Sequence, residues 1–239
     1  IKDSSTGEIF AAKISKQTLN EISNEMIQDL EQEVNIISKL NHPSVLKFIG
    51  YSPINFKKKP KPVIVTEYAP CGSLEDLIKN DINKDLNNTL KLIIIYGIAS
   101  GMSYLHLNNI IHRDLKPANI LIDEFNLPKI ADFGLSTIKQ EIDPKSSNEI
   151  KGTPMYISPE IWEKSEYTEA CDVYAFGIIL YQILTNEKPF ENCHLYEIMI
   201  KVKKGHRPEF KKDIPKSYRS LIESCWAQEP INRPSFDEI

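Results

Sequence analysis

The sequence predicts an α+β fold in two lobes, a small β-rich one followed by a larger helical one, and three observations carry that prediction. Short apolar runs of strand type occupy Glu8 to Ser15, Val45 to Tyr51 and Pro62 to Tyr68. A single helical period, from Asn20 to Leu40, interrupts them. After Pro70 only helical patterns recur, over Ser73 to Lys79, Leu90 to Leu107, Thr168 to Thr185, Leu195 to Lys204 and Tyr218 to Trp226. With 239 residues, 41% of them hydrophobic, the chain can bury a sizeable core.

Taken in order, Thr6-Gly7 is a turn signal that feeds the first strand. The helix after it repeats Ile22, Met26, Ile27, Leu30, Val34, Ile37 and Leu40 on one face, with acids on the outer one. Between the second and third strands, SPINFKKKPK reads as a solvated hairpin loop. The apolar stretches Leu92 to Leu105 and Val173 to Leu184 are broken by polar residues and Gly, and read as core helices too short to span a bilayer.

A net charge of -4 with 26% charged residues excludes the broad basic field that nucleic acid requires. Cys71, Cys171, Cys193 and Cys225 are scattered, without CxxC pairing or metal spacing to the five histidines, which predicts a reduced, cytoplasmic setting. No signal peptide opens the chain, and no repeat or low-complexity run occurs.

The chemistry concentrates in IIHRDLKPANILID and KIADFGLS. Asp114 is placed to accept a proton from an incoming hydroxyl, and Asn119, five residues on, can turn back towards a metal ion. Asp132 follows Asn119 by thirteen residues, a separation a short hairpin closes, so that both oxygens can meet one hard divalent cation such as magnesium. Lys13 on the first strand and Glu33 on the helix, twenty residues later, can pair to position phosphates. Each residue alone is ordinary; the ordered set HRDLKPAN, DFG, GTPMYISPE and CWAQEPINRPSF is specific.

With those motifs the chain resembles the eukaryotic protein kinase superfamily over its whole length. The resemblance implies ATP and Mg2+ as cofactors, with Asp114 as base, Lys116 on the γ-phosphate, Lys13 and Glu33 as the phosphate-positioning pair, and Asn119 and Asp132 on the metal. VIVTEYAPCGSL resembles the hinge, with Thr66 as gatekeeper, backbone contacts to adenine from Glu67 and Ala69, and Ala11 and Leu121 sandwiching the ring; Ser73 falls at a ribose position or at a helix cap.

Lys116 and GTPMY resemble serine/threonine kinases, while CWAQEPINRPSF and the GSL after the hinge resemble the tyrosine-kinase-like group. Residues 1–69 then form a partial N-terminal lobe, because the family's glycine-rich loop would precede Asp3 to Gly7, and residues 70–239 form the C-terminal lobe. Thr153 is expected near Asp114 and Lys116, Glu160 against Arg233, and Asp172 against the HRD backbone. Phosphorylation of Ser146 or Ser147 is expected to order the activation segment through Arg113. Protein substrates in intracellular signalling are the implied partners, with adaptor domains outside this segment, no nucleic acid and no membrane segment. Two rivals stay open: a scaffold that keeps the fold for binding only, and a small-molecule kinase, which should lack a segment ending in SPE.

Overall fold

The computed structural model describes residues 1–21, 23–79, 87–139 and 150–239. Strands β1 (Phe10–Ile14), β2 (Phe48–Ser52) and β3 (Val63–Glu67) form an antiparallel sheet in the order β1-β3-β2. Ala11 sits opposite Thr66 and Lys13 opposite Ile64. Gly7, at φ 78°, lets the chain turn into β1, as the Thr6-Gly7 signal predicted.

Helix α1 (Asn24–Ile37) is shorter than the apolar period. It starts where the Ser23 hydroxyl accepts from the Met26 amide at 3.3 Å, and it stops at Ser38. Ile36 and Ile37 are buried while Met26 is exposed, so the face that packs is the C-terminal half. The β2–β3 loop closes on itself: Asn55 Oδ1 accepts from the Lys57 and Lys59 amides at 2.9 and 3.1 Å, and Lys57, Lys58 and Lys59 stay exposed, a solvated turn.

The remaining helices are α2 (Leu74–Lys79), α3 (Asn88–Leu107), α4 (Pro159–Lys164), α5 (Glu169–Thr185), α6 (Leu195–Lys203) and α7 (Lys216–Cys225). Fourteen of the 17 residues of α5 are buried, so this helix is apolar around its circumference and serves as the central pillar. Tyr174, Phe176, Ile178, Ile179, Leu180 and Tyr181 are each at most 2% exposed, and burial of each contributes about 1.5–3 kcal/mol. Helix α3, at 20 residues, is in fact long and apolar enough to cross a bilayer, which corrects the expectation from the broken stretch. Its Ile94, Ile98, Met102 and Leu105 are nonetheless fully buried against the same core.

Helix α3 packs on a short hairpin, and the approach is close at Gly97. A Cβ there would come within 2.4 Å of Pro128 Cγ. Gly97→Ala is therefore expected to destabilise the fold by about 1–3 kcal/mol through overpacking, read as a lower urea midpoint; an unchanged midpoint would mean that the helix can move away at no cost.

Two ladders lie below the level that periodicity reveals. β4 (Ile110–Ile111) pairs with β7 (Thr137–Ile138), and β5 (Ile120–Ile122) pairs with β6 (Pro128–Ile130). They carry the loops that form the site. The β5–β6 turn is built by Asp123, whose Oδ1 accepts from the Phe125 and Leu127 amides at 2.9 and 2.8 Å.

Candidate active site

Strand β4 delivers the chain into His112-Arg113-Asp114, and Asp172 at the start of α5 holds that backbone. Its Oδ2 accepts from the His112 amide at 2.8 Å and its Oδ1 from the Arg113 amide at 2.9 Å; His106 Nε2 lies 3.0 Å from Oδ2. At 1% exposure, burial alone would raise the pKa of this carboxyl, but hydrogen bonding and charge from His106, with His112, hold it below the usual value. Arg113 adopts φ 68°, a conformation costly for a non-glycine residue, so the two hydrogen bonds that the His112 and Arg113 amides donate to Asp172 fix a strained turn just before Asp114.

Asp114 is the hub of a compact network. Its Oδ2 accepts from Lys116 Nζ at 2.6 Å and from Asn119 Nδ2 at 3.1 Å. Its Oδ1 accepts from the Thr153 amide at 3.1 Å and from Thr153 Oγ1 at 2.9 Å. Lys116 Nζ also donates to Thr153 Oγ1 at 2.8 Å, so the three side chains close a triangle, as expected for Thr153. A carboxylate held on both oxygens by donors keeps its orientation towards an incoming hydroxyl.

The Lys13 ammonium reaches Glu33 Oε1 at 2.7 Å and Asp132 Oδ1 at 3.1 Å, which brings together three residues from β1, α1 and the segment after β6. Burial works to lower the Lys13 pKa, but the Glu33 and Asp132 carboxylates outweigh it and hold it above the ordinary lysine value. For Asp132 burial pushes up, and Lys13 with lesser help from His112 and the Gly134 amide brings the pKa below normal. Asp132 sits at φ 63°, turned out towards Lys13 while Phe133, 1% exposed, turns into the core beside the His112 ring.

The β5–β6 ladder does what the thirteen-residue spacing required. Ile120 pairs with Ile130, and the Ala131 amide donates to the Asn119 carbonyl at 2.9 Å, so Asn119 lies beside the entry to Asp132. Both side-chain hydrogen bonds of Asn119 use its Nδ2, one to the Asp114 carbonyl at 2.8 Å, which leaves Oδ1 with its lone pairs. An amide oxygen and a carboxylate are hard ligands and suit magnesium, whose other positions are ordinarily taken by water and phosphate. No cluster of three His, Cys, Asp or Glu occurs among the described residues, so no all-protein cage competes with this pair.

On the other side of Lys13, Ala11 and Leu121 are half-buried, Thr66 is buried opposite Ala11, Glu67 ends β3 and Ala69 lies on the connection to α2. The Glu67 amide is already bonded to the Lys47 carbonyl at 2.9 Å, which leaves the Glu67 carbonyl, contacted by Thr66 Oγ1 at 3.1 Å, as its backbone group for a ligand. The Glu67 carboxylate, unassigned from sequence, accepts from the Lys47 amide at 2.8 Å and pairs with Lys129 Nζ at 3.4 Å. Ser73 is a helix cap: its Oγ accepts from the Asp76 amide at 3.2 Å while Asp76 Oδ2 accepts from Ser73 N at 3.0 Å and from Ser73 Oγ at 2.6 Å.

Glu160 and Arg233 form the expected pair, with Arg233 Nη1 and Nη2 on the two carboxylate oxygens at 2.7 and 2.8 Å. Ser158 donates to Glu160 Oε1 at 2.7 Å, which adds a hydrogen bond to the pair. Ser146 and Ser147 lie outside the described residues. Arg113 instead lies over the Tyr167 ring, 4.0 Å from its centroid. Nothing in the sequence pattern singled out Tyr167, because its contacts come from residues distant in the chain.

A two-lobed α+β fold with a lysine–glutamate pair on the sheet side and an HRD aspartate, asparagine and DFG aspartate on the helical side defines a protein kinase domain. A family model described as protein tyrosine and serine/threonine kinase matches residues 3–239. The chain belongs to that family. Among similar proteins of Dictyostelium discoideum, the one named "Probable serine/threonine-protein kinase drkC" is 38% identical over 237 residues, 98% of this chain and 31% of that protein. The one named "Dual specificity protein kinase shkC" is 41% identical over 213 residues, 87% of this chain and 41% of that protein. The chain spans between 13% and 41% of the length of such relatives.

Proposed function

We propose that the protein transfers the γ-phosphoryl group of ATP to serine and threonine hydroxyls of other proteins, in cytoplasmic signalling, with residues 1–69 and 70–239 as its two lobes. The observation that carries the reading is the joining of two clusters: Lys13, Glu33 and Asp132 in one, and Asp114, Lys116, Asn119 and Thr153 in the other.

Asp114 accepts the hydroxyl proton as the oxygen attacks, and the bond from the γ-phosphorus to the bridging oxygen of ADP breaks. Lys116 sits where charge grows on the γ-phosphoryl oxygens and also fixes Asp114 and Thr153. Lys13, oriented by Glu33, holds the α and β phosphates. Asn119 and Asp132 would hold Mg2+, which when bound would supply neutralisation of phosphate charge. Thr66, the Glu67 carbonyl and Ala69 line the adenine edge, with Ala11 and Leu121 on its faces. The relatives named serine/threonine-protein kinases support an alkyl hydroxyl as acceptor, although one relative is named dual specificity.

The test is phosphate transfer from ATP with magnesium to a generic basic protein, followed by phosphoamino-acid analysis. Phosphoserine and phosphothreonine are the expected products. Lys13→Met should lower kcat/KM for ATP about 10- to 100-fold, the worth of one or two hydrogen bonds to a charged group. Absence of any transfer by the wild type would favour the binding-only scaffold.

A further inference from the structure

Beyond the residues that meet the substrates, we infer that Tyr167 is a positioning residue for the phosphoryl-transfer step, acting through Thr153 on Asp114; this rests on the assignment of Asp114 as base. Its two ends engage two different segments of the site. The ring lies against Arg113, the residue before Asp114, with the guanidinium carbon 4.0 Å from the ring centroid. The hydroxyl accepts from the Lys151 amide at 2.8 Å and donates to the Lys151 carbonyl at 3.0 Å, so it grips both backbone groups of one residue.

Lys151 is two residues before Thr153, and the residue between them is Gly152 at φ 119°. That conformation is open to glycine and strained for other residues, so Gly152 is the swivel of this turn. It also lies so near the catalytic loop that a Cβ on it would come within 3.1 Å of the Arg113 carbonyl. A swivel immediately before Thr153 would let that residue move away from Asp114 unless the preceding residue were held. The Tyr167 hydroxyl supplies the hold, and the ring ties it to the loop that bears Asp114.

The consequence reaches the reacting atoms in two hydrogen bonds. With Lys151 fixed, the Thr153 amide and hydroxyl both meet Asp114 Oδ1, and Thr153 Oγ1 meets Lys116. Arg113 Nε is buried and has no hydrogen-bond partner among the described residues, so the ring contact is what its guanidinium has on that side. The face of the Tyr167 ring is its attractive counterpart. The contacts of Tyr167 are with Arg113 and Lys151 and lead to Thr153 and Asp114, so its effect should fall on the chemical step and not on ATP affinity.

Tyr167→Phe keeps the ring on Arg113 and deletes both hydroxyl contacts. In the protein expressed from its complete reading frame, kcat should fall about 10- to 100-fold, the scale on which a misplaced catalytic group slows a reaction, with KM for ATP within roughly twofold of wild type. The amide of Lys151 should exchange with solvent roughly tenfold faster. In a Thr153→Ala background the further loss should shrink to about threefold or less, because the route through Thr153 is already cut.

An unchanged kcat, a loss confined to KM, or full multiplication of the Tyr167→Phe and Thr153→Ala effects would each overturn the inference. A variant with a lowered unfolding midpoint is judged on the Lys151 exchange rate and the double-variant comparison, which general weakening does not mimic. Asp114→Asn, run in parallel, separates the two levels: if it keeps wild-type transfer, the assignment of the base is wrong, whereas an inactive Asp114→Asn beside an unimpaired Tyr167→Phe refutes only the role of Tyr167.

Discussion

Asp114→Asn should reduce phosphate transfer about 10²- to 10⁴-fold, the contribution of a positioned general base, while the protein keeps its fold. The amide is nearly the same shape, but it cannot take a proton from the attacking hydroxyl. It also presents an N–H2 to a pocket that supplies donors: Lys116 Nζ, Asn119 Nδ2, and the Thr153 amide and hydroxyl all point at the Asp114 oxygens. Two losses therefore add, the missing base and a partly disordered Lys116. The measurement is a single-turnover rate with saturating ATP, alongside a thermal unfolding scan. A rate within threefold of wild type would remove Asp114 from the mechanism.

The largest effect on stability is expected from Glu160→Ala. The Arg233 side chain is completely buried, and Glu160 is its only carboxylate among the described residues; its other partners are the carbonyls of Ala170, Ala227 and Gln228. Removing the anion strands a guanidinium in the interior, which costs about 3–5 kcal/mol, or roughly 10 °C in the unfolding midpoint for a chain of this size. Replacing both residues by apolar ones of similar volume should recover much of the loss, since the buried charge goes with its partner. A shift below 1 °C in Glu160→Ala would mean that water or a neighbouring acid reaches Arg233.

Much of this site was legible from residue order. HRDLKPAN and DFG located Asp114, Asn119 and Asp132, and the hairpin inferred from their spacing is the β5–β6 ladder. Lys13 and Glu33 meet because a strand residue and a helix residue were read at the right places on their elements. Helix cores were also legible, since α3 and α5 are apolar on every side. Helix ends were less so: α1 begins at a serine cap, at Asn24 and not at the predicted Asn20, and Ile22 lies outside the described residues.

What stayed hidden was short or distant. A two-residue ladder such as β4–β7 has no period to detect. The Glu67 bridge to Lys129 joins residues 62 apart, and the Tyr167 grip on Lys151 depends on how α4 and the following loop return towards the catalytic loop. Such contacts are set by tertiary geometry, and a single sequence carries no local trace of them. Ser73 shows the opposite case, in which the reciprocal Ser-x-x-Asp pattern was present in the sequence and the structure forms the cap.

The Lys13 ammonium has a mechanical consequence. Its bond to Asp132 is one of two charged links between the sheet and the helical lobe among the described residues, beside Glu67–Lys129, and both of its side chains are about half exposed, 59% and 49%. An ion pair that wet is worth only about 0–1 kcal/mol. At the back, by contrast, Ser44 and Leu46 exchange backbone hydrogen bonds with Ile130 at 2.8 and 2.9 Å, in the interior. The two lobes are thus joined by firm backbone hydrogen bonds at the back and, on the Lys13 side, by an ion pair that costs little to break.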